Sequence, residues 1–382
     1  MRGEDVRDWD SHAGVPLLRG VVRGVLDLAE LDDLHAFRLP YPPEAQRALN
    51  EITLCCLVRG ARPPRSLPDF LSWCRERPVE DWPIELPPDA VAPGQYLIDD
   101  ESSHPTTFCY EWAMEGPDSS VREEVYGLIQ TAAELSAQAA LPESYPAFRR
   151  LLVEQPVIDQ AGLFRIATDQ FLDPVRDLVG SVFRQTSDTY LCHGAYTPCR
   201  RCAMLLTPMP DGGWWCENDA CRRLGAPLPG KPLVAEQAGV VHHLDRALRQ
   251  FVTGPGRVVL ELEARLRALG IETELWPVRE ACDVMVVLPD GHVWTIEVKD
   301  HANPALLGRL AERERARSSR GEDFWVVPNY RVEQCPGYVA TFERYSSENA
   351  GGLRLLTDDD LVKALTRRVN RRARRQGGEN VA

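Results

Sequence analysis

Asp283, Glu297 and Lys299 are the residues best placed by type and spacing to do chemistry. They lie in the stretch Cys282-Asp-Val-Met-Val-Val-Leu-Pro-Asp-Gly-His-Val-Trp-Thr-Ile-Glu-Val-Lys299. Two β-like runs, 283–288 and 292–298, flank Pro289-Asp290-Gly291, a hairpin signal. Side chains alternate along a strand, so Glu297 and Lys299 share one face while Ile296 and Val298 take the other. A carboxylate and an ammonium then stand side by side at the end of an apolar strand, and Asp283 can approach from the partner strand. Such a set can hold a divalent metal and support a pentacovalent phosphate transition state. Oxygen ligands and partial hydration suit Mg2+ better than Zn2+. The metal would polarise a scissile phosphate and lower the pKa of a bound water, with Lys299 orienting that water or neutralising charge on the phosphoryl oxygens. The chemistry is metal-assisted phosphodiester hydrolysis. Asp300 and His301 follow directly and read as helix-capping or surface residues, with an added site contact as the alternative.

A second chemical set is sulfur. Cys199-x2-Cys202, a 13-residue gap and Cys216-x4-Cys221 form two knuckles, with Asp211-Gly212-Gly213 turning the hairpin between them. Four thiolates so spaced can close a tetrahedral Zn2+ site, and the segment resembles a zinc ribbon. Its role is structural, folding a segment too small to bury a core of its own. Cys192 and His193 are spare ligands or bystanders. Arg200, Arg201, Arg222 and Arg223 beside the knuckles are either a solvated rim or a nucleic-acid contact.

The elements that must position the first set can be read on both sides of it. Residues 258–269 form an amphipathic helix with Leu262, Leu266 and Leu269 on one face, ended by Gly270. Residues 271–276 are strand-like, 304–316 helix-like and 323–327 a further strand, so the order is αβββαβ. Residues 1–186 are mostly helical, with candidate helices at 15–30, 43–58, 120–140, 145–154 and 172–185. Ser120-Val-Arg-Glu123 reads as a capping box, and Ser66-Leu-Pro-Asp69 opens another helix. Residues 83–108 are rich in proline and irregular. Tyr145-Pro-Ala-Phe-Arg-Arg150 is an aromatic and basic cluster at a helix start, read as core plus surface.

Composition sets bounds on the rest. The chain of 382 residues suffices for two or three domains. A net charge of −13 argues against a general polyanion-binding surface. The charge is uneven, however. Acidic stretches lie at 30–33, 76–81 and 99–101. Arg309, Arg313, Arg315, Arg317 and Arg320 lie further on, and Arg367, Arg368, Arg371, Arg372, Arg374 and Arg375 lie near the end. That end is either a phosphate-contacting helix or arm, or a solubilising terminus. Eleven cysteines, an odd number, and no charged n-region followed by an apolar run argue for free thiols in a reducing cytoplasm. No run approaches the roughly 18 apolar residues that span a bilayer, so no membrane association is expected.

Asp, then Glu-x-Lys after a short hairpin, set within αβββαβ, resembles the PD-(D/E)XK (restriction-endonuclease-like) superfamily. The usual Pro before the Asp is Cys282 here. The resemblance implies a further metal-binding Glu on the first helix, Glu261 first and Glu263 next. The helical region with Tyr145-Pro-Ala-Phe-Arg-Arg150, a zinc ribbon and a Glu-x-Lys core is similar, over roughly residues 140–345, to the endonuclease component associated with bacterial PIWI–RE defence systems. That implies action on invading DNA or RNA–DNA hybrids, beside a PIWI-type protein and a helicase, and two copies for double-strand cutting. The fold expected is multidomain α+β. It comprises a helical region over 1–186, a zinc ribbon over 187–228, an α/β restriction-endonuclease-like core over 235–362 and a basic tail over 363–382. A catalytically silent nucleic-acid-binding or scaffolding subunit, and a different metal-dependent hydrolase, are the alternatives.

Overall fold

The computed structural model describes residues 9–29, 40–116, 119–278, 282–288, 291–313, 322–346 and 353–379, with backbone alone from 370 onward. The acidic stretch 30–33, the hairpin tip Pro289-Asp290 and Arg315, Arg317 and Arg320 lie outside them, as does the side chain of Arg313. The chain is mixed helix and sheet with a helical N-terminal half. It divides into two compact units. The first comprises 1–124, 301–313 and 337–347, and the second 125–300, 314–336 and 348–382.

In the first unit, helix Gly14–Ala29 buries Val15, Leu18, Val21, Val22, Val25 and Leu28. This three-to-four-residue spacing makes one apolar stripe. The stripe meets helix Pro43–Val58 through Ala45, Ala48 and Ile52. A Cβ at Gly24 would stand 2.7 Å from the Ala48 methyl, so glycine permits this close approach. Trp9 stacks on Trp112 (5.6 Å between centroids), with Tyr345 edge-on to Trp9 at 5.3 Å. Helices Pro304–Arg313 and Tyr338–Tyr345 belong to this core through Ala305, Leu306 and Tyr345. Ser66 caps helix Leu67–Glu76 as expected, accepting from the Asp69 amide at 3.3 Å. The cap of the long helix Ser120–Gln138 is Ser119 rather than Ser120: its hydroxyl accepts from the Arg122 amide at 3.0 Å.

The second unit holds a five-stranded mixed sheet. Its strands are β1 (Thr273–Leu275), β2 (Val284–Val287), β3 (Val293–Val298), β4 (Glu322–Val327) and β5 (Arg354–Thr357), in the spatial order β5-β4-β3-β2-β1. β1, β2 and β3 pair antiparallel; β3, β4 and β5 run parallel. The expected order of helix, three strands, helix and strand is present, with helix Gly254–Ala268 first and helix Pro304–Arg313 between β3 and β4. Val259, Leu262 and Leu266 of the first of these helices are buried. Leu269, read from periodicity as part of that face, is 45% exposed, because the helix ends at Ala268 and Gly270 takes a positive φ of 71°. Residues 172–185 are no single helix. Pro174 sits in the 3-10 turn Gln170–Val175, helix Arg176–Val182 follows, and Phe183–Gln185 is a strand.

Candidate functional site

The hairpin of β2 and β3 brings two of the predicted carboxylates together. Val284 pairs with Ile296; Asp283, just before β2, donates its amide to the Ile296 carbonyl at 2.9 Å and turns its carboxylate to the Val298 amide, so it reaches β3 on either side of Glu297. On the other side the Trp276 amide donates to the Asp283 carbonyl at 2.9 Å, and Glu297 pairs with Trp325 of β4. Each carboxylate thus has a tryptophan beside it. Lys299, two residues on, returns to this face with Nζ 2.8 Å from Glu297 Oε2 and 4.5 Å from the Trp325 ring centroid. Its amide is fixed on the Val326 carbonyl at 2.8 Å.

Asp283 is held on all sides. Its Oδ2 accepts from the Val298 amide at 2.9 Å, and its Oδ1 accepts from Trp276 Nε1 at 3.1 Å and Arg149 Nη2 at 2.9 Å. Arg149 also donates to Tyr145 Oη at 3.0 Å and lies over the rings of Trp276 (5.1 Å) and Tyr145 (5.9 Å). Burial opposes its charge, but Tyr145 and Asp283 outweigh that and raise its pKa further. Trp276 is fully buried and takes φ +46°, a conformation that a bulky residue adopts at a cost and that concentrates at functional sites. Sequence reasoning missed Arg149, Trp276 and Trp325. The signal for the first was present in the Tyr145-to-Arg149 spacing, four residues and one helical turn apart in helix Ser144–Glu154. What could not be seen was its partner, 134 residues away.

The first-helix glutamates are placed differently. Glu261 is exposed. Glu263 is buried and pairs with Arg267 at 2.7 Å, one turn along the same helix. Among the described residues, no hydrogen bond or ion pair joins either to Asp283, Glu297 or Lys299. Asp300 accepts from Tyr330 Oη at 2.7 Å and from Arg331 Nε at 2.6 Å, so it is a buttress of the strand end rather than a helix cap. His301 opens the chain's return to the first unit, where its carbonyl accepts from Tyr338 Oη at 2.8 Å.

The four predicted thiols converge. Cys199, Cys202, Cys216 and Cys221 are buried, with their sulfurs within 4.8 Å of one another, and can hold a metal such as zinc. No disulfide joins any of the eleven cysteines, and Cys192, the spare candidate, stands outside this group. The knuckles hang on the hairpin of Leu206–Pro208 and Trp214–Cys216, turned as expected at Asp211–Gly213. Hydrogen bonds from Cys202, Cys216 and Cys221 hold the Cys199 thiol well below its usual pKa, while the bond with Cys199 pushes Cys202 far above. Two of the rim arginines turn inward. Arg201 Nη1 donates to the Cys221 and Ala226 carbonyls, both at 3.1 Å, and Arg222 Nη1 to the Cys216 carbonyl at 3.0 Å.

In the basic tail, backbone helix Asp358–Glu379 carries all the predicted arginines. Arg367 is exposed. Arg368 is taken up by the protein itself, 3.2 Å from Glu322 and over the Trp294 ring. The side chains of Arg371, Arg372, Arg374 and Arg375 lie outside the described residues. No helix among the described residues is long and apolar enough to cross a membrane.

A family model described as pPIWI_RE three-gene island domain Y matches residues 17–159, and one described as REase associating with pPIWI_RE matches residues 256–373. The first covers the Tyr145–Arg150 cluster and the second covers Asp283, Glu297 and Lys299; the thiol cluster falls between them. No curated protein and no solved structure matches the chain. Two models of one gene-island system, met in order along a single chain and together covering more than half of it, place the chain among the PIWI-RE-associated restriction-endonuclease-like proteins.

Proposed function

We propose that the chain is a divalent-metal-dependent endonuclease that hydrolyses phosphodiester bonds of DNA. The observation that carries this reading is Asp283 reaching β3 beside Glu297, with Trp276 against the first acid, Trp325 against the second and Lys299 paired with Glu297. Its donor chemistry fits a hard cation: the two acids are carboxylates, and Glu297 is a quarter exposed. Asp283 and Glu297 would hold Mg2+. When bound, such an ion supplies Lewis-acid polarisation of a phosphate and a more acidic water. The chain's own residues do the rest. Val298, Trp276 and Arg149 fix the Asp283 carboxylate in one orientation, so little reorganisation is needed when charge develops. Lys299, steadied by Glu297 and Trp325, presents an ammonium to the phosphoryl oxygens or to the attacking water.

The thiol cluster is read as a structural Zn2+ site of the ribbon type, closed by four protein ligands with no position left for substrate. A PIWI-type protein and a helicase are the partners that the system implies, in an antiviral or anti-plasmid role in the cytoplasm. A second copy of the chain would be needed to cut both strands.

A silent scaffold is the second reading, and one observation favours it: a guanidinium already occupies Asp283. Cleavage of supercoiled plasmid and labelled oligonucleotides separates the two. The enzyme reading expects cutting with Mg2+ or Mn2+, none with EDTA, and loss in Asp283→Ala and Lys299→Ala. Metal-loaded, folded protein that cuts nothing, alone or with the neighbouring gene products, would sink it.

A further inference from the structure

We propose that the thiol knuckle positions the catalytic end of β3, through a chain of ion pairs that ends, buried, on the residue after Lys299. This deepens the reading above and rests on it for the roles of Lys299 and of the metal. The chain starts inside the loop that the cysteines close. Arg222 grips the Asp219 carboxylate and donates to the Cys216 and Glu217 carbonyls at 3.0 and 3.2 Å. The other Asp219 oxygen, Oδ2, accepts from Arg331 Nη1 at 3.1 Å. The same guanidinium donates through Nε to Asp300 Oδ1 at 2.6 Å. Arg331 and Asp300 are nearly inaccessible, their side chains 5% and 9% exposed. Arg223 of the knuckle and Arg331 both lie against the Tyr330 ring, at 4.8 and 4.9 Å, and Tyr330 Oη donates to Asp300.

A buried guanidinium needs both carboxylates in place, since an ion without its partner in a poorly solvated site is strongly unfavourable. Asp219 cannot hold its position unaided. It opens a helix of five residues, Asp219–Arg223, far too short to be stable by itself. The loop that carries that turn is closed by Cys216 before it and Cys221 at its middle, and a metal joining the sulfurs would fix it. Glu217 in the same loop makes a second buried link, to Arg249 at 2.6 Å. Metal binding at the knuckle is thus coupled to order at Asp300, and through the adjacent peptide to the placement of Lys299. Arg331 is a positioning residue in this arrangement.

Hydrogen exchange of the full-length protein tests the coupling without requiring activity. Chelating the metal should speed exchange in 216–224, and also in 295–300 and 329–334, by about tenfold or more, with β2 unchanged. Arg331→Met in metal-loaded protein should keep the metal stoichiometry and speed exchange in 295–300. Asp219→Asn should do the same, and serves if the first variant does not fold. In cleavage assays both should lower kcat by about tenfold with KM little changed. Chelation that loosens 216–224 alone would overturn the proposal, as would variants whose 295–300 exchange matches the parent. A parent that cuts no DNA would count against the nuclease reading, while the exchange data would still decide the coupling.

Discussion

Arg149 and Arg150 are neighbours in sequence and opposites in energetics. Arg149 fills both ends of its fork, with Tyr145 on one nitrogen and Asp283 on the other, and its plane rests on Trp276. Arg150 makes one exposed pair with Glu154, a turn away. Removing one partner of a buried ion pair leaves the other uncompensated, at a cost of about 3–5 kcal/mol, whereas an exposed helical pair contributes about 0.3–0.5. Urea unfolding should therefore show Arg149→Ala losing about 3 kcal/mol or more and Arg150→Ala within about 0.5. Arg149→Lys should not recover the loss, because an ammonium cannot bridge two acceptors while stacking on indole. Equal effects at the two positions would show that the guanidinium at Asp283 is incidental. The same pair marks how far single residues were legible. Asp283, Glu297 and Lys299 announced themselves by type and alternation. Arg149 looked like its neighbour, because the difference lies in what faces it.

Among the elements, two helices set where that guanidinium stands. Helix Ser144–Glu154 carries Arg149, and helix Gly254–Ala268 approaches it so closely that a Cβ on Gly256 would lie 2.2 Å from Val153 Cγ2. Alanine in a helix is worth about 1 kcal/mol over glycine on propensity alone. Here overpacking, about 1–3 kcal/mol, opposes it. Gly256→Ala should lower the thermal midpoint rather than raise it, and adding Val153→Ala should recover stability beyond the sum of the two single effects. A stabilised Gly256→Ala single variant would mean the helices have room to part. This helix contact also shows what pattern reading supplies and omits. Hydrophobic period located helix 43–58 to the residue and the strand order around the hairpin, since those depend on local burial. It placed Leu269 on the wrong side of a helix end and the cap at Ser120 instead of Ser119, because ends are decided by hydrogen bonds rather than by period.

At the scale of the molecule, sequence neighbourhood and compactness divide the chain differently. Helices Pro304–Arg313 and Tyr338–Tyr345 lie in the C-terminal third yet join the first unit. There Glu111, almost fully buried, accepts from the amides of Ala302 and Asn303 just before the helix at Pro304. A carboxylate at a helix start is favourable, but nothing in the Glu111 neighbourhood of the sequence names a partner some 190 residues on. Whole-molecule behaviour also follows from buried titratable groups. His243, in the second unit, sits beside Arg249; burial first, then that guanidinium, lowers its pKa to about 3. A histidine free in the unfolded chain titrates near 6.5. The unfolded state therefore takes up a proton between those values that the folded state refuses, so stability falls as pH drops below 6.5. Glu217 adds to the fall below its ordinary 4.5. Burial would raise its pKa, but Arg246 and Arg249 hold it at about 2, so its favourable charge is lost only in stronger acid. By pH 5 the histidine alone should remove about 2 kcal/mol relative to pH 7.5. The sequence pI is 5.2, so the acidic chain loses its net charge in the same range and self-association will rise there. Urea midpoints taken at low protein concentration from pH 7.5 to 5 separate the two effects. The parent midpoint should fall steadily, and His243→Gln should flatten the slope. A parent midpoint level down to pH 5 would mean that His243 is protonated in the folded protein, with Glu217 and not solvent exclusion governing its charge.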